Sequence, residues 1–338
     1  MSWPSRFRPA GRKLLVTVLA AAVALGLITA ATVLGGSQQP TLTTVAPWEF
    51  APHMLHRRSY TASAELGGKI YVAAGMVGNT GRPLNIFERF DPDTNEWESL
   101  PLVPEPFSAA AGTALGGTMY VIGGNGSSKA VGRQVAAYGG APDGRQVFAY
   151  STVQRSWSRK ASLPVPRTNL AAVALGGRIF AIGGLDPFHA TRTVFVYDPG
   201  RNRWSRGPSL PEALHALAAV VFRGEIWVIG GQSSAGKATN RVWIYNAGRH
   251  AWRGGPQMPA RMETAGAAVV GDQIHVVLES VYLIYDARTH RWTRGPSLEV
   301  PRHALAVYAI KGTLYAMGGC VVPQLEDSSV VEKRALAG

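Results

Sequence analysis

Glu263, His215 and His303 are the residues of this 338-residue chain best suited by type to move protons. A carboxyl group and an imidazole can act as acid and base when they converge on one substrate, each within about 3 Å of the atom it serves. All three stand at the same point of a repeating pattern, just ahead of an alternating apolar run. Arg58 and Tyr60, Arg167 and Asn169, and Arg302 occupy equivalent points and can make directed polar contacts. A second set, Met76, Asn125, Asp186, Gln232, Glu279 and Cys320, follows or replaces pairs of glycines. Whether these side chains meet depends on the element that carries them.

That element is marked by tryptophan. Six of the nine tryptophans, Trp48, Trp97, Trp157, Trp204, Trp252 and Trp292, recur at spacings of 49, 60, 47, 48 and 40 residues, and each but the first closes a near-copy of one unit. Such a period means a supersecondary element that buries its apolar face only by stacking on its copies. The clearest copy starts at Val165-Pro166-Arg167 and alternates to the turn Leu175-Gly176-Gly177. Ile179-Phe180-Ala181-Ile182 then leads into Gly183-Gly184, and Val194-Phe195-Val196-Tyr197-Asp198-Pro199 leads to Trp204. These short β-branched and aromatic runs predict four antiparallel strands, a to d, because each connection is too short for a parallel crossover.

The frame recurs at Leu66-Gly67-Gly68 with Trp97, at Leu115-Gly116-Gly117 with Trp157, and at Arg223-Gly224 with Trp252. The fifth copy keeps Tyr285-Asp286 and Trp292 but has Leu278-Glu279 where the double glycine belongs. The sixth ends near Val330-Val331-Glu332 without a tryptophan strand. Residues 43–52, with Trp48, read as the missing d strand, and pairing them with the strand near Val330 closes a ring and removes exposed sheet edges.

The double glycine ending one strand, the Tyr-Asp-Pro before a turn and the tryptophan on the next strand resemble the Kelch repeat over about Trp48 to Val331. The resemblance implies an all-β fold, a six-bladed β-propeller of four-stranded antiparallel blades. It also implies partner binding on the face where the b-to-c loops and d-to-a connections emerge. Arg58, Tyr60, Asn125, Arg167, Asn169, Asp186, Gln232 and Arg302 are therefore the expected binding residues, with Glu263, His215 and His303 as catalytic candidates. Kelch-type relatives that do chemistry include exported sialic acid mutarotases and copper radical oxidases. The cross-linked Cys-Tyr pair and paired histidine ligands of the oxidases have no counterpart in this sequence, so neither metal nor cofactor is expected. The repeat glycines and tryptophans are expected to be structural.

Arg6, Arg8, Arg12 and Lys13 precede 21 uncharged residues, Leu14 to Leu34, long enough at about 1.5 Å per helical residue to cross a hydrocarbon core of roughly 30 Å. The segment predicts either a transmembrane anchor or a cleavable signal peptide, with the following domain outside the cytoplasm. The expected organisation is a basic region 1–13, an apolar helix 14–34, a tether 35–42, the propeller 43–333 and a tail 334–338. Net charge is +13, and without the four N-terminal basic residues 30 Lys and Arg still exceed 21 Asp and Glu by 9. Much of the excess clusters beside the d strands, at Arg155, Arg159 and Lys160, Arg201, Arg203 and Arg206, Arg249 and Arg253, and Arg288, Arg291 and Arg294. It reads either as a solvated rim or as attraction to an anionic envelope surface. No aromatic-basic motif for nucleic acid occurs. The single cysteine, Cys320, cannot form an internal disulfide and reads as a small buried residue. A Gly-rich insertion from Asn125 to Gly144 lengthens the second b-to-c loop and reads as either a specificity loop or filler. The expectation is a monomeric, membrane-tethered or secreted module binding a protein or a glycan, with a sugar-isomerising enzyme as the alternative.

Overall fold

The structure, a computed structural model, describes residues 46–77, 82–126, 144–186, 189–322 and 326–336. Thr44–Gly338 forms one compact unit. The basic region, apolar segment and tether lie outside the described residues, as does most of the Gly-rich insertion. Every regular element among the described residues is a strand, and no helix there is long and apolar enough to cross a membrane.

Six four-stranded antiparallel sheets account for most of the strands. Their first strands are Ala62–Leu66, Ala111–Leu115, Ala171–Leu175, Ala218–Phe222, Gly266–Val270 and Ala306–Ile310, numbered here as sheets 1 to 6. Sheet 3 shows the common register: Ala171–Leu175 pairs with Arg178–Ile182, which pairs with Val194–Asp198, which pairs with Arg203–Arg206. In sheet 6 the fourth strand comes from the other end of the chain. Glu49, Phe50 and Ala51 lie opposite Lys333, Glu332 and Val331, and Val331–Ala335 continues past residue 333 with Arg334 buried.

Alternation explains how the sheets stack. In sheet 3, Ile179, Ala181, Phe195 and Tyr197 pack with Tyr120 and Ile122 of sheet 2, whereas Phe180, Ile182, Val194 and Val196 pack with Ile226 and Val228 of sheet 4. Both faces of the middle strands are thus covered, so each apolar side chain there contributes about 1.5–3 kcal/mol of burial. The first strands converge on an axial cavity of about 370 Å³ lined largely by alanine and valine. Crowding fixes those small side chains: a Cβ on Gly112 would sit 2.2 Å from the Ser63 carbonyl oxygen.

Three rings of hydrogen bonds join the sheets. Each of the six repeat tryptophans donates its indole N–H to a backbone carbonyl in the exit of the neighbouring sheet: Trp97 to Pro52, Trp157 to Pro101, Trp204 to Ala161, Trp252 to Pro208, Trp292 to Pro256 and Trp48 to Pro296, at 2.8–3.0 Å. Nearer the axis, the amides of Gly75, Gly124, Gly184, Gly231, Glu279 and Gly319 donate to Phe107, Arg167, Leu214, Met262, Arg302 and Arg58 of the next sheet. The innermost ring runs through Tyr60, Ala109, Asn169, Ala216, Thr264 and Ala304. Each amide there donates to the carbonyl of the preceding residue in the ring, at 2.8–3.3 Å, and the Tyr60 amide closes it on Ala304. All six adopt left-handed backbone with φ of 51–55°.

Candidate binding mouth

The innermost ring surrounds a cavity of about 120 Å³ at the end of the axis where the first strands begin. Tyr60, Thr61, Asn169 and Thr264 line it among alanines and leucines. The second ring lies around this mouth and places the b-to-c loops beside it.

Glu279 is the odd member of that second ring. In the other sheets the position is glycine, with φ of 91–104°, and at Gly184 a Cβ would meet the Thr168 carbonyl oxygen at 2.7 Å. In sheet 5 the strands Gln273–Leu278 and Val281–Asp286 are joined directly through Glu279 and Ser280. This tighter hairpin brings φ at residue 279 back to 51°, within the left-handed well that a side chain tolerates. A glutamate therefore stands at the mouth where the repeat elsewhere forbids any side chain.

The neighbours of Glu279 form a polar arc across four sheets. His303 Nδ1 lies 4.0 Å from Glu279 Oε1, and the Tyr60 ring meets the His303 ring edge-on at 6.3 Å between centroids. Gln232 bonds to both His215 and Glu263, while Asp327 accepts from Ser59 Oγ at 2.5 Å. Burial pushes the Glu263 carboxyl up, with the nearby Glu279 charge acting in the same direction. Burial pulls both His215 and His303 down, against a smaller opposing influence of Glu279 and Asp327 on His303. The arc thus pairs a carboxyl group that protonates unusually easily with two imidazoles that stay neutral.

The expected site residues divide by position. Tyr60, Asn169, His215, Gln232, Glu263 and His303 are at or beside the mouth. Arg58 and Arg302, expected there, are instead wholly buried, each bound to a glutamate of its own sheet: Arg58 to Glu88 at 3.0 Å and Arg302 to Glu332 at 2.7 Å. Their second nitrogens donate to the carbonyls of Val72 and Ala316. The guanidinium groups stitch strands together and present nothing to a ligand. Arg167 is 2% exposed, lies over the Phe195 ring at 5.5 Å and pairs with the half-exposed Asp186 at 2.9 Å. Asn125 is buried beside Ser108. Cys320 is buried and unbridged, and its surroundings push the thiol up to about 11, chiefly by desolvation and then by Asp327. Glu279, named in the second set but not among the expected binding residues, and Asp327, not foreseen, carry the arc. The lost double glycine was the visible signal for the first, while Asp327 returns to the mouth through the pairing of Cys320–Val321 with Glu326–Asp327.

The rim arginines are exposed, and several are paired. Arg155 reaches Glu98 of sheet 1 at 2.6 Å and Arg253 reaches Glu225 at 2.6 Å. Among the described residues no group of three or more His, Cys, Asp or Glu has the arrangement to hold a metal ion.

Four-stranded sheets wound around an axial cavity, with tryptophans bridging neighbours, define a Kelch-type propeller. The KLHDC2/KLHL20/DRC7 Kelch-repeats domain matches residues 59–277 and 130–319, and the chain belongs to the Kelch-repeat family. Beta-scruin of Limulus polyphemus is 26% identical over 155 residues, 44% of this chain and 16% of its own length. The F-box/kelch-repeat protein SKIP30 of Arabidopsis thaliana is 34% identical over 105 residues, 30% of this chain and 29% of its own length. Kelch-like protein 35 of Mus musculus is 29% identical over 147 residues, 41% of this chain and 23% of its own length. The chain therefore spans less than a third of each of these relatives. The solved structure of YjhT superposes with a TM-score of 0.69 at 14% identity, covering 83% of this chain and 96% of that one, a likeness of fold.

Proposed function

We propose that this chain is a six-bladed Kelch propeller, held at a membrane with the propeller outside the cytoplasm, that binds a partner at the mouth. Six sheets and three six-membered rings of hydrogen bonds support the blade number. The basic residues ahead of the apolar stretch Leu14 to Leu34 support the tether and its orientation. A protein fits better than a free sugar. The observation that carries this is the size of the mouth: about 120 Å³ is well below the roughly 300–1,000 Å³ of small-molecule sites. It accommodates one protruding side chain, while the surrounding polar loops meet the rest of a protein surface.

Proximity labelling from the full chain, repeated with Tyr60→Ala and Asn169→Ala, tests the reading against Arg203→Ala on the rim. Loss of the same labelled protein in both mouth variants, with retention in the rim variant, is expected. Equal labelling in all three would remove the mouth from the interaction, and selective retention on a glycan array would make the ligand a sugar. Extraction from membranes by detergent but not carbonate is expected of the tether, and a mature N-terminus near Ala31 would replace it with a cleaved signal.

A second reading, a sugar mutarotase, draws on the Gln232 bridge between Glu263 and His215. An easily protonated carboxyl beside a neutral imidazole suits proton exchange at an anomeric oxygen. In that case Glu263→Gln abolishes catalysed anomer exchange while substrate still binds.

A further inference from the structure

We propose that the group taken by the mouth is cationic, the side chain of a lysine or arginine presented by the protein partner. This inference rests on the reading of the mouth as a protein-binding surface. It reverses what net charge suggests: the chain carries 34 basic and 21 acidic residues, so an anionic partner is the first expectation. The mouth has the opposite character. Arg58, Arg302 and Arg167, the arginines that lead into strands beside it, are 0%, 0% and 2% exposed and already paired with carboxylates. Around the cavity rather than in its wall stand Glu263, next to the lining residue Thr264, and Glu279 of sheet 5, with Asp327 of sheet 6 already bonded to Ser59.

Two buried polar atoms mark where a partner group would bond. The buried Oε2 of Glu263 accepts no hydrogen bond among the described residues. Asn169, 7% exposed and lining the cavity, has a side-chain amide nitrogen without a partner among them. A buried acceptor lacking a donor and a buried donor lacking an acceptor both carry a desolvation cost until something fills them. A lysine or arginine side chain supplies the first need through its charged N–H groups, and a carbonyl of the same protein partner supplies the second. The Tyr60 ring offers an aromatic surface for the cation.

The charged and titratable groups around Glu263 are His215 from sheet 4, Glu279 from its own sheet and His303 from sheet 6 backed by Asp327. The exposed Arg261 nearby is turned to the Ala238 carbonyl. As pH falls from 7.5, Glu263 loses its charge above the usual carboxylate range, and protonation of the two histidines adds positive charge lower down. Both changes weaken a bound cation and strengthen a bound anion, so the sign of the pH dependence separates the two ligand classes.

The test is saturation-transfer NMR of the full chain with N-acetyl-arginine methylamide, N-acetyl-lysine methylamide, N-acetyl-glutamate methylamide and N-acetylneuraminate. Selective binding of the two cationic probes at pH 7.5 is expected, weakened at least fivefold at pH 5 and at least threefold by Glu279→Gln. Glu65→Gln, in the axial cavity, should leave binding unchanged. Preference for either anion, or tighter binding on acidification, overturns the proposal. If no probe binds while the labelled partner still requires Tyr60 and Asn169, the charge inference fails and the protein-binding reading stands. If the cationic probes bind but mouth variants leave the partner untouched, the reverse holds.

Discussion

The joint between sheets 3 and 4 and the joint between sheets 5 and 6 solve the same packing problem with different chemistry. In the first, Gly184 donates to the Leu214 carbonyl, and the surrounding contacts are apolar, with Phe180 against Tyr245 at 5.7 Å. In the second, Glu279 donates to the Arg302 carbonyl, and Arg302 carries a fully buried ion pair with Glu332. A buried polar chain runs through the same joint: Arg334 donates to Ala46 O and to Tyr282 Oη, and Tyr282 Oη lies 2.6 Å from His275 Nδ1. Sheet 6 is also where the two ends of the chain meet. Apolar contacts suffice between consecutive repeats, but a strand arriving from the opposite terminus has more registers to choose among, and directional bonds discriminate between them.

The largest expected effect is at Arg302. Arg302→Met copies the residue at the equivalent position of sheet 5, Met262, yet strands Glu332, whose other donors are the amides of Glu299 and Val300. Removing one member of a buried pair typically costs about 3–5 kcal/mol. Leu214→Met at the apolar joint should cost less than about 1.5 kcal/mol. Urea denaturation of the two variants measures the contrast, and equal losses would mean that Glu332 tolerates isolation.

Tryptophan gives the next contrast. Trp48 is 3% exposed and packs edge-on against Tyr282 at 5.7 Å, whereas Trp252 is only half-buried, although both make the same bond to a proline carbonyl. Trp48→Ala should cost about 3–5 kcal/mol and Trp252→Ala less, because less apolar area is lost at the second site. Thermal unfolding of both decides whether the closing strand matters more than an internal one.

The repeat itself was legible because its signals are local. Double glycines, Asp-Pro turns and tryptophans each mark one strand end, and residues 43–52 carried the tryptophan that the last copy lacked. The arginines were misplaced because what decides their direction lies far along the chain. Arg58 and Arg302 turn inward because a glutamate occupies one register position of the third strand, Glu88 and Glu332, where other sheets have Phe148, Phe195, Trp243 and Leu283. Each Arg-Glu pair is separated by 30 residues, 88 less 58 and 332 less 302, a regularity visible once the strands are aligned. Asp327 was harder to place because it reaches the mouth only through the short pairing of Cys320–Val321 with Glu326–Asp327.

The polar joint should also be the acid-sensitive one. Burial lowers His275 to about 4, with Arg334 adding to the shift, so the folded state holds it neutral while the unfolded chain protonates near 6.5. Its contribution is fully present above pH 6.5 and is lost as pH falls towards 4, at most about 3 kcal/mol in all. Glu263, shifted upward, opposes this slope slightly. Urea midpoints between pH 7.5 and 4 should fall steeply in the parent chain and less in His275→Gln, which keeps an acceptor for Tyr282. Parallel slopes would assign the acid sensitivity elsewhere.

Glu279→Gly is the smallest change in stability and the sharpest separation of structure from function. Glycine relieves the left-handed strain at φ 51°, worth about 1–2 kcal/mol for a side-chain-bearing residue. It also gives the unfolded chain more freedom, which returns about 0.5–1 kcal/mol. The net is a gain of about 0.5 kcal/mol, read as a small rise in the urea midpoint at unchanged slope. The bond from residue 279 to Arg302 O uses the backbone amide, which glycine retains, so the second ring is expected to stay closed. The substitution removes the carboxylate and leaves the ring intact, so the cationic probes should bind this variant as weakly as Glu279→Gln. If the substitution instead lowers stability by more than about 1 kcal/mol, the carboxylate braces His303 and the joint between sheets 5 and 6, and its place at the mouth is a consequence of packing.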